Sequence, residues 1–223
     1  MSRVGRIVDV GLPHHITQRG NNRQNIFEDD DDRQQYLKWV QQYSEKYHIS
    51  ILAYCLMSNH VHFIVIPREQ NSLSNTFSFA HMRYAQYFNK KEKRSGHLWQ
   101  GRFFSSILDN DYLTIAARYV ERNPVRIGLV KNPWDWNWSS ALGHISEETE
   151  KIKLENIFDY IEIPKNKWKD YLENQDNEID IGEIRKNTIR GLPSGGIKFV
   201  ERLEQKLEIK IFRQPVGRPK KNN

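Results

Sequence analysis

Cys55-Leu56-Met57-Ser58-Asn59-His60-Val61-His62-Phe63-Ile64-Val65-Ile66 sets two apolar runs on either side of a short polar turn. The spacing predicts a tight hairpin, with strands over 50–57 and 60–66 joined by Ser58-Asn59. Side chains two apart on a strand share a face. His60 and His62 therefore stand side by side, and Val61 and Phe63 point the other way. Two neutral imidazoles placed like this can hold a divalent metal. The plainer alternative is a pair of partly exposed histidines at a sheet edge. The motif alone leaves both open.

Upstream of the hairpin, residues 6–17 read as a first strand interrupted near Pro13. The loop after it, Gln18-Arg19-Gly20-Asn21-Asn22-Arg23-Gln24-Asn25, is rich in donors, and its glycine lets the backbone approach a ligand closely. Arg19, Asn21, Asn22 and Arg23 are candidate contacts to a phosphate or a base. Five acids, Glu28 to Asp32, precede a helical pattern of Tyr36, Leu37, Val40, Tyr43 and Tyr47. Acids in a first turn suit the positive end of the helix dipole, and no metal site is needed to explain them.

Downstream, a helix is expected from Ser72 to about Lys91. Residues 103–108 read as a fourth strand. A helix from Asn110 or Asp111, limited by Pro124, follows. The order β-α-β-β-α-β-α predicts an α+β, ferredoxin-like antiparallel sheet with packed helices. Trp134, Trp136 and Trp138 read as packing on an extended segment. Helical pieces are expected near 153–161, 164–174 and 194–207.

The chain has 223 residues and one cysteine, Cys55, inside an apolar strand pattern. That fits a buried thiol in a reducing compartment. No signal peptide and no membrane span is legible, so a soluble, cytoplasmic protein without a membrane partner is expected. Charge is uneven. Residues 1–146 carry 18 Lys/Arg and 13 Asp/Glu, residues 147–184 carry 5 and 12, and residues 185–223 carry 11 and 3. The expected division is a first domain over 1–146, then an acidic, mostly helical connector and a basic C-terminal DNA-binding region over 147–223. A basic body with a more basic end suggests a polyanion partner.

Tyr119 and Asn123 lie four apart, on one face of the expected helix. Asn123 can offer an amide oxygen to a hard cation, and Tyr119 a phenol as nucleophile. A free phenol is a weak nucleophile near neutrality, its pKa being about 10. It suits phosphoryl transfer when a metal withdraws charge from the phosphate. A half-buried aromatic and a helix cap before Pro124 would explain the same two residues.

Leu56-Met57-Ser58-Asn59-His60-Val61-His62 resembles the metal-binding motif of single-tyrosine HUH transposases. Three further segments resemble the branch called REP-associated tyrosine transposases. They are Ile16-Thr17-Gln18-Arg19-Gly20-Asn21-Asn22-Arg23, His97-Leu98-Trp99-Gln100-Gly101-Arg102-Phe103 and Arg118-Tyr119-Val120-Glu121-Arg122-Asn123-Pro124-Val125-Arg126. The resemblance covers about residues 4–142, in order. It implies a nuclease domain acting on single-stranded DNA near a hairpin, with His60, His62 and Asn123 as ligands of Mg²⁺ or Mn²⁺ and Tyr119 as the catalytic tyrosine. Nitrogen ligands alone would also suit zinc. Tyr112, two turns earlier, is the reserve nucleophile.

The implied reaction is a transesterification that leaves a 5′-phosphotyrosine and a 3′-hydroxyl, and whose reversal joins strands. Arg19, Arg23, Arg102 and Arg126 are expected phosphate contacts. Gly217-Arg218-Pro219-Lys220-Lys221 resembles an AT-hook core, which makes Arg218, Lys220 and Lys221 further expected DNA contacts; a disordered, solubilising basic end would explain the same residues. Single-stranded and hairpin DNA are the expected partners, and the protein is expected to be a monomer or homodimer. The competing readings are a domesticated, non-catalytic hairpin-DNA-binding protein, a metal hydrolase in which water attacks, and an RNA-binding module of the same fold.

Overall fold

A computed structural model describes residues 6–146 and 151–211. Four strands, β1 (His14–Arg19), β2 (Ile49–Leu56), β3 (His60–Pro67) and β4 (Phe104–Ile107), form one sheet in the order β2-β3-β1-β4. Every neighbour pair is antiparallel. Helices α1 (Asp30–Lys46) and α2 (Ser72–Lys91) connect the strands in the β-α-β-β-α-β order of the ferredoxin-like plan. The hairpin closes where expected, with the Met57 N–H donating to the His60 carbonyl. β3 is an interior strand, so its histidines are not at a sheet edge.

The period of two sorts the β3 side chains between two cores. Val61, Phe63 and Val65 join Ile16 beneath Tyr36, Val40, Phe77 and Tyr84 of α1 and α2. Ile64 and Ile66 face the opposite way, against Leu113, Ala116, Ala117 and Val120 of α3 (Asn110–Glu121). The α1 acids behave as helix-terminal charges. The Asp29 carboxylate accepts from the Asp32 backbone N–H, and Lys91 pairs with both Asp29 and Asp32 at 2.7 Å.

Beyond α3 come α4 (Asn123–Arg126), α5 (Ala141–Ile145), α6 (Lys165–Glu173), α7 (Glu178–Arg190) and α8 (Ile197–Leu207). These later helices enter the cores of the sheet domain. Ile152 joins the first cluster, and Trp168, Leu172, Ile181 and Ile184 join the second. Phe199, Val200 and Leu203 of α8 close over Ile107 of β4. The tryptophans pack on the two cores, but from a 3₁₀ turn (Pro133–Asp135) and the turn after it, not from an extended segment. The Trp136 indole N–H donates to the Leu56 carbonyl, and that of Trp138 to Asp30.

Several elements differ from expectation, the short helix α5 among them. The first strand begins after Pro13 instead of crossing it, because Gly11 turns the chain at φ +86° and its N–H donates to the Pro67 carbonyl. Only a 3₁₀ turn, Ile157–Asp159, forms in the expected helix over 153–161. There the Glu155 N–H is committed to the Ile51 carbonyl of β2, which holds the backbone extended. Helix α7 was not expected at all. Among the described residues no helix is long and apolar enough to cross a membrane. The basic end, with Arg218, Lys220 and Lys221, lies outside the described residues.

Candidate active site

The register of β1 on β3 sets Thr17 opposite His62 and Arg19 opposite His60. His15, two residues from Thr17, therefore shares their face. Helix α3 crosses that face. Its start is fixed by Asp109, whose carboxylate accepts from the Tyr112 N–H at 2.9 Å, and its apolar stripe seats it on the sheet. One turn from the end, the Tyr119 ring meets His62 edge-on at a 5.4 Å centroid distance and His15 at 5.8 Å. The backbone stays helical through Arg122, which brings Asn123 to His60. Its amide nitrogen is placed 3.3 Å from His60 Nε2. An amide is symmetric enough that its oxygen can take the same place.

The two histidines are 4.9 Å apart between centroids. His60 Nδ1 is 2.6 Å from the Asn59 side-chain oxygen, which fixes the proton on Nδ1 and leaves a lone pair at Nε2. His62 Nδ1 is 2.9 Å from His15 Nε2. On the far side of the same ring, His62 Nε2 is buried with no hydrogen-bond partner among the described residues. Burial lowers the His60 pKa to about 4, with help from Arg19 and Arg185. His62 is lowered too, first by burial and then by His60, His15, Arg126 and Arg19. Both rings are thus neutral at ordinary pH, the form that binds metal.

Among the described residues no group of three or more His, Cys, Asp or Glu forms a metal cluster. The donor set is instead two imidazoles and one amide. The orphaned Nε2 of His62, the lone pair on His60 and the adjacent Asn123 fit a divalent cation with open positions. Asn59 and His15 act as outer partners that orient the two rings.

Tyr119 is enclosed by cations. The Arg126 guanidinium lies 4.6 Å from the ring centroid, and Arg185 Nε donates to the phenol oxygen at 3.3 Å. Arg126 is also paired with Asp176 at 3.0 Å, as Arg122 is at 3.1 Å. The hydroxyl of Tyr112 donates elsewhere, to Glu183, and burial together with that carboxylate raises its pKa. Tyr112 is thus committed to Glu183, whereas the Tyr119 ring meets His62.

Of the expected DNA contacts, Arg19 and Arg102 line one cleft of about 850 Å³, where Arg6, Arg190 and Lys210 are further cations and no carboxylate stands among the described lining residues. Burial and the nearby Arg102 lower the Arg6 pKa to about 10. Asn21, Asn22 and Arg23 form a 3₁₀ turn, and Asn22 and Arg23 are exposed. Gly20, just before it, has no room for a side chain, since a Cβ would overlap the Gln24 carbonyl oxygen and reach within 2.8 Å of Ile26. Arg126 is held by Asp176 against the Tyr119 ring. Sequence reasoning missed His15, Arg185 and Thr188. The alternation along β1, which puts His15 on the His62 face, was the one local signal available.

The β2-β3-β1-β4 sheet thus carries a His-x-His strand beneath a helix-borne tyrosine. The profile of the family described as Transposase IS200 like matches residues 10–123, and this chain belongs to that family. A REP-associated tyrosine transposase of Haemophilus influenzae is 23% identical over 107 residues, covering 43% of this chain and 61% of that protein. The chain therefore spans less than two thirds of that relative's length. A solved structure described as a REP-associated tyrosine transposase bound to a REP hairpin has a similar fold. Its TM-score is 0.52 at 20% identity, over 70% of this chain and 93% of that one.

Proposed function

We propose that the protein is a metal-dependent single-stranded DNA endonuclease and strand transferase, acting at hairpin, REP-like DNA through a 5′-phosphotyrosine. The observation that carries this reading is the meeting of Tyr119 with His62, whose Nε2 is buried and has no partner among the described residues, beside His60 and Asn123. His60, His62 and Asn123 would hold Mg²⁺ or Mn²⁺. A cation bound there would polarise the phosphoryl oxygens and offset charge on the leaving oxygen. The Tyr119 oxygen attacks phosphorus and loses its proton, a P–O bond forms, the bond to the 3′ oxygen breaks, and that oxygen takes up a proton. The phosphodiester is conserved as phosphotyrosine. Attack by a DNA 3′-hydroxyl reverses the step and joins strands without a nucleotide cofactor. Arg185 holds the Tyr119 oxygen, and the Arg19–Arg102 cleft offers a basic track for the strand.

Tyr119 sits beside the histidines of its own chain, which supports cleavage in cis by a monomer or by each half of a homodimer. Residues 1–146 carry the chemistry in this reading, and 147–223 support it and add DNA affinity. A cytoplasmic setting suits a reduced Cys55. The test is incubation of a labelled hairpin oligonucleotide with Mn²⁺, followed by a denaturing gel. Wild type should form a covalent protein–DNA adduct. Tyr119→Phe should form none while still binding the hairpin. An adduct of equal yield in Tyr119→Phe would overturn the nucleophile. Binding without any adduct in wild type would favour a non-catalytic hairpin binder.

The tail is proposed as a duplex contact. Deleting 213–223 removes Arg213, Arg218, Lys220 and Lys221. Each lost phosphate contact should flatten the logarithmic salt dependence of hairpin affinity by about 0.9. An unaltered affinity and slope would leave the tail without this role.

A further inference from the structure

Helix α7 lies beyond the stretch matched by the family, residues 10–123, yet it reaches the site. We propose that α7 is a working part of the active centre, in which Thr188 holds His15 and His15 holds His62 in the tautomer that can bind a divalent cation. This inference rests on the reading of His60, His62 and Asn123 as that cation's ligands.

The three groups form one buried line. Thr188 and His15 are each 1% exposed, and His62 is 4%. Thr188 Oγ1 is 2.8 Å from His15 Nδ1, and His15 Nε2 is 2.9 Å from His62 Nδ1. The two rings lie within 8° of parallel with centroids 5.1 Å apart, so they meet end to end. A neutral imidazole has one N–H and one lone pair, so the direction of one hydrogen bond sets the next. Two arrangements exist. In the first, the Thr188 hydroxyl donates to His15, His15 donates from Nε2 to His62 Nδ1, and the His62 proton sits on Nε2. That proton has no acceptor, and the lone pair that a cation needs is gone. In the second, His15 donates from Nδ1 to the Thr188 oxygen and accepts at Nε2 from the His62 Nδ1–H. His62 Nε2 then carries its lone pair. The Thr188 oxygen is the acceptor that the second arrangement needs at His15 Nδ1. Without it, the other polar partner of the His15 ring is His62 Nδ1, and the proton moves to Nε2 to meet it. The pair then adopts the first arrangement.

Thr188 and His15 are positioning residues on this account. The conservative pair Thr188→Val and Thr188→Ser separates the hydroxyl from the shape. The full chain, isotopically labelled at histidine nitrogen, reports the His62 tautomer by NMR in the absence of metal, and Mn²⁺ affinity is measured by electron paramagnetic resonance. Wild type and Thr188→Ser should show the His62 proton on Nδ1 and similar Mn²⁺ affinity. Thr188→Val should move it to Nε2 and raise the Mn²⁺ dissociation constant about tenfold, as loss of an outer partner typically does. Unchanged tautomer and unchanged affinity in Thr188→Val would overturn the proposal. A wild-type His62 protonated on Nε2 would overturn it whether or not the valine variant folds. His60→Ala separates the two readings: if it binds Mn²⁺ as tightly as wild type, the ligand assignment fails, and the tautomer shift alone then decides the role of Thr188.

Discussion

At His62 the two ring nitrogens face different parts of the chain, and this makes the two histidines of the proposed metal site unequal. His62→Ala takes away the partner of His15 Nε2 and should cost about 1–3 kcal/mol of stability, the usual loss for a buried polar atom left unpaired. His60 is only part-buried and should cost less. Both variants should lose Mn²⁺ binding. Urea denaturation with a parallel Mn²⁺ titration checks this, and equal stability losses would contradict the asymmetry. Arg185→Gln removes the guanidinium from the Tyr119 oxygen. It should slow adduct formation on the order of tenfold, less than the loss of an enclosed oxyanion donor because Arg185 is exposed. Mn²⁺ affinity should stay constant, and single-turnover kinetics at saturating DNA would show the split. Strand and helix periods pair His60 with His62 and Tyr119 with Asn123, but their expected roles came from the family resemblance. Thr188 and Arg185 were not legible, since they stand 173 and 66 residues from the partners they touch.

Among elements, the sheet and its first three helices were readable from alternation, turns and caps. Helix α7 was hidden by its own composition. It buries Ile181, Ile184 and Thr188 but leaves Ile179 and Ile189 exposed, so its apolar stripe is narrow and blurred. Its acidic start also merged with the acid-rich stretch before it. The junction of α3 with α6 is a sharper test of how these elements hold together. The buried Glu121 carboxylate accepts from Ser140 at 2.6 Å and from the Trp168 indole N–H at 2.9 Å, and pairs with His144 at 2.6 Å. Trp168→Ala should cost about 3–5 kcal/mol, from the lost side chain and its cavity. Trp168→Phe keeps most of the volume and should cost about 1–3 kcal/mol through the lost hydrogen bond. A urea midpoint unchanged in the alanine variant would show that α6 is not anchored there.

For the molecule as a whole, buried neutral histidines set a lower limit to its useful pH range. Burial lowers His14 to about 4, partly offset by the Leu12 carbonyl and Asp9. Burial, with Arg6, lowers His81 to about 3. Unfolded histidine titrates near 6.5. Between about pH 6.5 and those folded values the unfolded chain binds protons that the folded chain does not. Stability is therefore complete above about pH 6.5 and falls as pH falls, by about 1.4 kcal/mol per pH unit for each of the two residues. Urea midpoints at about pH 7.5 and about pH 5 check the direction, and His81→Gln should reduce the slope. Equal midpoints would place these rings in contact with solvent.

The position of α7 also has a consequence in time. A ribosome delivers residues in order, at about 5–20 per second, and segments fold as they emerge. His15, His60, His62, Tyr119 and Asn123 are all made well before Thr188 and Arg185. A growing chain can thus assemble its sheet and bring its tyrosine to its histidines several seconds before the helix that orders them exists. If α7 completes the centre as proposed, a chain stopped short of Thr188 would hold a divalent cation less tightly. The proposed cleavage would then wait until residue 188 has been made.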